Sequence, residues 1–309
     1  MDRFTVLTNP SQELWEKIVE NVSLNEGWAS ANTDLAFFYD AFPGNFTIYV
    51  AVEKETGELA GSVSVATYAQ PEPLSMLGMY AVVPKYKGQG LGTALWEKAM
   101  EICAPRKFLY GAEAMREKYA RKWGFDKIPD WKALTSRTLI RKVFPLLLHH
   151  DPTLHWRKPE EVGWEAIGKY YKKFLKDVDG SQGIKAMLQV PGAESLVMRT
   201  NEDRIVALVR VREAHGKTLV VGPLLGNDDI AATSALRQVL CNLLTLREFK
   251  HFVIQYPSTC TETRKMMDVM CKGDYTTDVV ATYPQWTERV FDLPVQHVYA
   301  LSQSDVAIV

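Results

Sequence analysis

The decisive segment of this 309-residue chain reads MYAVVPKYKGQGLGTALWEKAM over residues 79–100. An apolar run ends at Pro84, the stretch Lys87-Gly88-Gln89-Gly90-Leu91-Gly92 follows, and apolar residues then recur at helical spacing. Three alternate glycines leave the backbone N–H groups at the start of this helix unobstructed by side chains, which favours anion binding. Residues 73–96 contain no Asp or Glu, whereas lysines stand just before the loop. We therefore predict that the loop binds a diphosphate.

Two familiar nucleotide-binding motifs do not fit this loop. A dinucleotide fingerprint, G-x-G-x-x-G, would end at Thr93 if counted from Gly88 and at Leu95 if counted from Gly90. A phosphate-binding loop of the Walker type needs Gly-Lys-Ser/Thr, which is absent here. A glycine-rich turn that only caps the helix is the alternative, but three alternate glycines exceed what one turn requires.

The composition of the chain excludes several classes of protein. Lys plus Arg number 36 and Asp plus Glu number 37, so the net charge is −1 and no nucleic-acid partner is expected. The 47% share of hydrophobic residues is typical of a folded globular protein. No apolar stretch approaches the roughly 18 residues of a membrane span, and the first residues carry no secretory signal. We therefore expect a cytoplasmic protein without a membrane partner.

The cysteines do not indicate a metal site. Cys103, Cys241, Cys260 and Cys271 show no C-x-x-C spacing and no nearby histidine pairing of the kind that zinc requires. We expect reduced thiols in the interior and no bound metal.

The length and the order of predicted elements indicate two domains. The pattern pauses near residues 144–151 and then restarts, which predicts domains at residues 1–148 and 152–309. The succession helix, helix, hairpin, strand, loop, helix, strand, helix, strand occurs in both halves, so we predict an internal structural duplication. We expect an α/β (α+β) fold in which mixed, mostly antiparallel sheets are flanked by helices.

The glycine-rich loop and its flanks resemble the GNAT superfamily of acyl-CoA-dependent N-acyltransferases. The signature of that family is Gln/Arg-x-x-Gly-x-Gly/Ala at a strand-to-helix junction, and residues 87–92 match it with Lys87 in place of the first residue. Residues 81–86 ahead of the loop and Trp123-Gly124-Phe125 behind it also look like the family. The resemblance covers nearly all of residues 1–145 and implies tandem GNAT-like domains, of which the first is catalytic and binds acetyl-CoA.

The resemblance also implies which residues contact the cofactor. Backbone groups of the loop would hold the CoA pyrophosphate, and the end of the preceding strand would run beside the pantetheine arm, where a backbone N–H polarises the thioester carbonyl. The expected cofactor-binding residues are Ala81, Val82, Val83, Lys87, Gly88, Gln89, Gly90, Leu91, Gly92 and Thr93, with Tyr80 beside the arm.

Three residues are candidates for catalysis: Glu113, Tyr119 and Tyr80. The family often has a Tyr, which protonates the leaving thiolate, at the position that is Ala120 here. Tyr119 lies one step away, about 100° around the helix, and either acts as this acid or packs in the core. All six histidines lie beyond residue 148, so the base is a carboxylate, a relayed water or a group from the second domain. Glu113 is the carboxylate that we favour, with capping of the following helix as the alternative.

The second half resembles the YitH/HolE-type acetyltransferase-like domain through Val221-Gly222-Pro223-Leu224-Leu225. Its junction loop, residues 226–229, lacks alternating glycines and carries Asp228 and Asp229. Two carboxylates would repel a diphosphate, so we predict that this half does not bind CoA there. The two aspartates are expected to cap the next helix.

These observations lead to three functional hypotheses. The first is transfer of an acetyl group from acetyl-CoA to a primary amine of a small molecule, with the second half shaping the acceptor cleft. The second is an acyl-CoA-binding or sensing protein without turnover, which the missing Tyr allows. The third is a protein-lysine acetyltransferase.

Overall fold

The computed structural model describes residues 3–278 and 281–309. In the first half, alternating apolar residues form the strands, and Ser11 caps the first helix by accepting the Leu14 N–H at 3.3 Å. The elements of this half are β1 (Phe4–Thr8), α1 (Gln12–Asn25), α2 (Asp34–Ala41), β2 (Phe46–Glu53), β3 (Leu59–Tyr68), β4 (Leu74–Val82), α3 (Leu91–Ile102), β5 (Arg106–Ala112), α4 (Arg116–Trp123) and β6 (Ala133–Leu139).

The second half repeats this order of strands and helices. Its elements are β7 (His155–Arg157), α5 (Pro159–Val162), α6 (Trp164–Tyr171), α7 (Ser181–Leu188), β8 (Glu194–Arg199), β9 (Ile205–Ala214), β10 (Thr218–Gly226), α8 (Asp229–Asn242), β11 (His251–Pro257), α9 (Thr261–Met270), β12 (Thr276–Thr277), β13 (Thr282–Trp286) and β14 (Val298–Ala300). The sequence predicts a single helix over residues 160–177, but Gly163 at φ 90° separates α5 from α6. The predicted α/β class, with a mixed sheet flanked by helices, is confirmed.

All the strands join one sheet through a reciprocal exchange. The order is β1-β2-β3-β4-β5-β13-β6-β11-β10-β9-β8-β7, with β12 on β6 and β14 on β10. Strand β13 pairs antiparallel with β5, and β6 pairs antiparallel with β11 along its whole length. Strand β6 of the first half and strand β13 of the second half therefore each complete the sheet of the other half. The division near residue 150 stays a prediction, and strand pairing crosses it in both directions.

Each half contains one pair of parallel strands that diverge. Strands β4 and β5 pair from Leu74 with Arg106 to Leu77 with Leu109, and the pairing stops there although both strands continue. Strands β10 and β11 pair in the same way up to Val221 with Ile254. Beyond these points each pair of strands opens a gap at the same place in the repeated unit.

Aromatic packing reinforces the exchange. Trp286 on β13 is buried, and its ring lies 4.5 Å from the ring of Phe108 on β5. The ring of Phe291 lies 5.9 Å from that of Trp286. One continuous apolar core therefore includes residues from both halves. Within the described part of the chain, none of the helices is both long and apolar enough to cross a membrane.

We expect Trp286→Ala to destabilise both halves together. Removal of a fully buried tryptophan costs about 3–5 kcal/mol, and this side chain packs on a strand of the first half. Urea unfolding followed by circular dichroism should show one transition shifted to lower urea. Two separate transitions, one of them unshifted, would show that the halves are independent.

Candidate functional site

The glycine-rich loop joins β4 to α3 in the way the sequence predicts. Gly88 and Gly90 have φ values of 80° and 81°, in the left-handed region that glycine adopts without strain. Gly90 stands at the N-cap of α3, and no side chain of the described residues caps this helix. The first hydrogen bond of the helix runs from the Ala94 N–H to the Gly90 carbonyl at 3.1 Å. The N–H groups of the preceding turn are therefore available to an anion.

The third glycine of the loop, Gly92, allows close packing. A Cβ atom on Gly92 would lie 2.7 Å from the Tyr80 hydroxyl oxygen and 3.2 Å from a Val82 methyl group. Glycine at this position lets the first turn of α3 rest against the end of β4 without displacing these two side chains. The N–H groups and the exposed strand end are thus adjacent.

The two lysines of the loop are paired with carboxylates. Lys85 forms an ion pair with Glu58, and the Lys87 ammonium lies 3.2 Å from a Glu26 carboxylate oxygen. Both lysines are more than half exposed, so these pairs are weak and can rearrange around a bound anion. The fixed part of the anion site is therefore its backbone.

Buried Tyr86 anchors the start of the loop. Its hydroxyl donates a hydrogen bond to Glu53 at 3.0 Å. The Thr56 hydroxyl and the Arg3 guanidinium also donate hydrogen bonds to this carboxylate. These contacts, that of Thr56 first and that of Arg3 second, lower the pKa of Glu53 to about 2. Glu53 therefore remains ionised and holds Tyr86 over the whole working range of pH.

Strand β4 carries a bulge just before the loop. Ser62 pairs with Ala81 and Ser64 pairs with Gly78, so two residues of β4 face one residue of β3. Met79 at the bulge has a φ of 46°, and the Ser62 hydroxyl donates to the Met79 carbonyl at 2.7 Å. The bulge turns the end of β4 away from β5, where the two strands stop pairing.

The resulting gap opens into a cavity of about 1070 Å³, at the upper end of the range for ligand sites. Both halves contribute to its walls. Groups from the first half include the loop, Trp96 and Lys118; groups from the second half include Arg212, Val221, Val253 and Gln255; and the segment after β14 adds Leu301, Ser302, Gln303, Ser304 and Asp305.

The cavity brings together most of the site residues that the sequence predicts. Those that line it are Tyr80, Ala81, Val82, Lys87, Gly88, Gly90, Gly92, Thr93 and Tyr119. Leu91 is buried in the core, Val83 packs against the same core, and Gln89 is exposed with its amide donating to the Lys85 carbonyl at 3.0 Å. The side chains of these three residues do not line the cavity.

Two tyrosines lie where the cavity meets α3 and α4. Tyr119 is buried and stacks on Trp96 at 4.8 Å, while Tyr80 meets the same indole edge-on at 5.0 Å. Burial raises the pKa of Tyr80 and, more strongly, that of Tyr119. Both phenols therefore carry their proton at neutral pH.

Glu113 lies outside the cavity. It opens a short 3₁₀ turn before α4, its side chain is 55% exposed, and its carboxylate lies 4.0 Å from Arg116. Ala112 and Ala114 on either side do line the cavity. The structure thus places Glu113 near the site without turning it inward, and its predicted role as a base remains untested.

A buried ion pair that includes Arg212 of the cavity lining is not predicted by the sequence. Asp34 of α2 and Arg212 of β9 are almost completely buried, with 3.4 Å between their charged atoms. Asp34 also accepts the Ala31 N–H and the Gln303 amide, both at 2.7 Å. This pair joins a helix of the first half, a strand of the second half and the segment after β14. The signal in the sequence is the pair Arg210 and Arg212 within a mostly apolar strand.

The equivalent gap in the second half is filled. Strand β14 pairs with β10 at Leu224 and Leu225, and the Leu301 N–H donates to the Gln255 carbonyl of β11 at 2.7 Å. The Asp228 carboxylate caps α8 by accepting the Ala231 N–H at 2.8 Å, as the sequence predicts. Strand β14 and Leu301 therefore bond to the diverging ends of β10 and β11.

Comparisons with known proteins agree with this geometry. Residues 13–125 match the acetyltransferase (GNAT) family. An uncharacterized protein of Caenorhabditis elegans is 24% identical over 123 residues, which are 38% of this chain and 38% of that relative. The match thus spans about two fifths of the relative's length.

Solved structures share the fold over almost the whole chain. One from Pyrococcus horikoshii, described as a candidate acetyltransferase, has a TM-score of 0.71 at 12% identity and covers 99% of this chain and 97% of its own. A tandem GNAT protein from the clavulanic acid biosynthesis pathway has a TM-score of 0.62 at 12% identity, with 93% and 99% covered. A GCN5-related N-acetyltransferase from Sphaerobacter thermophilus has a TM-score of 0.58 at 12% identity, with 95% and 98% covered.

The buried ion pair gives a prediction about stability. We expect Asp34→Asn to lower the free energy of unfolding by about 3–5 kcal/mol, because it leaves the Arg212 charge buried without a counter-charge. The double variant with Arg212→Met should recover most of this loss. Urea unfolding of the single and double variants measures both effects. A loss below about 1 kcal/mol in Asp34→Asn would show that the pair does not hold the halves together.

Proposed function

We propose that this chain, whose residues 13–125 form a domain of the acetyltransferase (GNAT) family, transfers an acetyl group from acetyl-CoA to a primary amine of a small molecule. The proposal rests on the free backbone N–H groups around Gly90 at the start of α3, which we call the cradle. The cradle lies beside the cavity that opens where β4 and β5 diverge. Acetyl-CoA carries a diphosphate and an extended thioester arm, and these two features fit the cradle and the gap.

The diphosphate would bind at the first turn of α3. The N–H groups of Leu91, Gly92 and Thr93 have no partner within the helix, and the helix dipole favours negative charge at this end. Lys87 stands beside the cradle and can exchange its exposed Glu26 partner for a phosphate. Binding therefore depends on the backbone conformation at Gly88 and Gly90 more than on side chains.

The pantetheine arm would enter the gap between β4 and β5. Beyond Leu77 and Leu109 the facing edges of these strands no longer pair with each other, so backbone groups of β4 can bond to the amides of the arm. An N–H near the bulge would polarise the thioester carbonyl and stabilise the oxyanion that forms on attack. The bulge and the divergence thus provide binding and activation on one strand.

The leaving thiolate needs a proton donor. The amine nitrogen attacks the thioester carbon, the C–N bond forms, the C–S bond breaks and the sulfur accepts a proton. Tyr80 and Tyr119 are protonated phenols at the cavity wall, and either can supply this proton although the position usual in the family is Ala120. The retained phenols support turnover.

The acceptor end of the cavity suits a polar small molecule. Its lining includes Thr135 and Arg137 of β6, Arg212 of β9, Gln255 of β11, and Asp278, which follows β12. Both halves and the segment after β14 surround this end. A polar end with walls from both halves supports a small amine as acceptor.

A second candidate function is acyl-CoA binding without turnover. Ala120 at the position of the usual acid is the observation that favours it. In that case the cradle and the gap bind the thioester, but no amine accelerates its cleavage.

Amine-dependent release of CoA distinguishes the two functions. The full-length chain is mixed with acetyl-CoA and, in turn, ethylamine, ethanolamine, glycine and glucosamine, and free thiol is followed with a thiol reagent. We expect at least one amine to raise the release of CoA well above the rate without amine. Tight CoA binding with no acceleration by any amine would favour the binding protein instead.

A charge placed in the cradle should prevent CoA binding. We expect Gly90→Glu to weaken CoA by more than a hundredfold in titration calorimetry, since a carboxylate about 5 Å from the diphosphate costs about 3 kcal/mol. Gly57→Glu is the matched control, because Gly57 also has positive φ, at 69°, but lies in the turn between β2 and β3. Equal affinities in the two variants would contradict the site, and wild-type stoichiometry should be one CoA per chain.

A further inference from the structure

The segment that follows β14, residues 301–309, returns from the second half to the first half. The Tyr68 hydroxyl donates to the Val306 carbonyl at 3.2 Å, and the Tyr110 hydroxyl donates to the Ile308 carbonyl at 2.6 Å. Residues 306–309 are buried. We call residues 301–309 the returning segment, and its course fixes residues 302–305 along the cavity wall.

The returning segment places Asp305 at the bulge of β4. The Met79 N–H donates to an Asp305 carboxylate oxygen at 3.4 Å. The Asp305 backbone packs so closely on Gly78 that a Cβ atom there would collide with it. The carboxylate thus lies beside the part of β4 where the thioester is expected, half-buried and facing the cavity.

Few basic groups compete with Asp305 for a proton in this cavity. None of the lining residues in the described chain is a histidine, and the lining carboxylates are Glu26, Asp278 and Asp305. Glu26 lies 3.2 Å from Lys87 beside the diphosphate cradle, and Asp278 lies 3.2 Å from Arg137. Among the described residues, Asp305 has no cationic partner within 4.0 Å, so its carboxylate can pair with an incoming ammonium.

We propose that the Asp305 carboxylate takes the proton from the acceptor amine, so that the second half delivers the base of the first half's reaction. This inference rests on the proposed function. It differs from the role predicted for Glu113, whose exposed side chain lies outside the cavity. The carboxylate, the bulge and the two phenols would then surround one reacting centre.

The environment of Asp305 suits a general base. Burial raises the pKa of its carboxyl group, the Met79 N–H and Arg212 lower it, and the charge of Asp34 raises it, with a net pKa of about 6. These groups belong to α2, β4 and β9, which face the carboxylate. A base with a pKa close to the working pH is ionised yet accepts a proton readily.

The protons balance as follows. The amine arrives as an ammonium ion and loses one proton to Asp305, which passes it to solvent. The neutral amine attacks, and after the C–S bond breaks the sulfur receives a proton from a phenol. The nitrogen of the adduct loses its second proton, which returns through water to the phenolate. One proton is released per acetyl group transferred.

Turnover with two kinds of amine tests the proposal in the full-length chain. Ethylamine is protonated at neutral pH and needs a base, whereas hydroxylamine is a much weaker base and is largely neutral. We expect Asp305→Asn to lower kcat/KM for ethylamine by about 10² or more, with a much smaller loss for hydroxylamine and unchanged CoA affinity in calorimetry. Asp130→Asn, at an exposed aspartate outside the cavity lining, is the control and should stay within a few-fold of the parent. The pH profile of the parent should rise through a pKa near 6, and this limb should be absent in Asp305→Asn.

Two further measurements test the ionisation of Asp305 without any need for turnover. In the carboxyl carbon NMR spectrum of the chain labelled at aspartate, the resonance lost in Asp305→Asn should titrate near pH 6. The folded chain holds the Asp305 proton more tightly than the unfolded chain, so the stability of the parent falls as the pH rises past the ordinary aspartate pKa to that of Asp305. Asp305→Asn removes this loss and should therefore melt higher than the parent at pH 8 but not at pH 4. A resonance that titrates in the ordinary range, or equal losses for both amines, would overturn the role of Asp305. If the parent itself shows no amine-dependent turnover, the proposed function fails and this role fails with it.

Discussion

The backbone pairing of β5 with β13 is the constraint on which the rest of the structure depends. Strand β13 runs antiparallel to β5 from Thr282 opposite Ala112 to Trp286 opposite Phe108, and β6 makes the reciprocal pairing with β11. Without these pairings each half would present a long unpaired strand edge, which natural proteins rarely leave exposed. The exchange therefore covers both edges at once and makes the fold of each half depend on the other.

The same exchange determines the composition of the cavity. Strand β13 lies next to β5, and strands β6, β11, β10 and β9 follow it in the sheet. Residues of β9, β10 and β11 therefore reach the wall of the gap that opens between β4 and β5. The chain then fills the second gap with β14 and continues as residues 301–309 across β4. One gap of the repeated fold is thus closed by the chain itself, while the other remains open and gains Asp305 and Gln303. The duplication yields one large cavity with walls from both copies.

The parts predicted from the sequence are those that depend on neighbouring residues. The glycine-rich loop, the helix after it and the Asp228 cap follow from local patterns, and the structure has them at those positions. Strand β13 could not be predicted because Pro284 interrupts it, and proline argues against a central strand. The structure accommodates Pro284 because β13 meets β6 only at Thr282, so the missing N–H leaves no bond unmade on that side. Asp305 lies 226 positions from Met79, and no local pattern links residues at that distance.

Hydrogen–deuterium exchange with and without CoA tests most directly the central claim that the cofactor binds at the open gap and the returning segment lies along it. We expect slower exchange on CoA addition over residues 79–96 and 301–305, with no change over residues 222–231. Protection over residues 222–231, or none over residues 79–96, would contradict it.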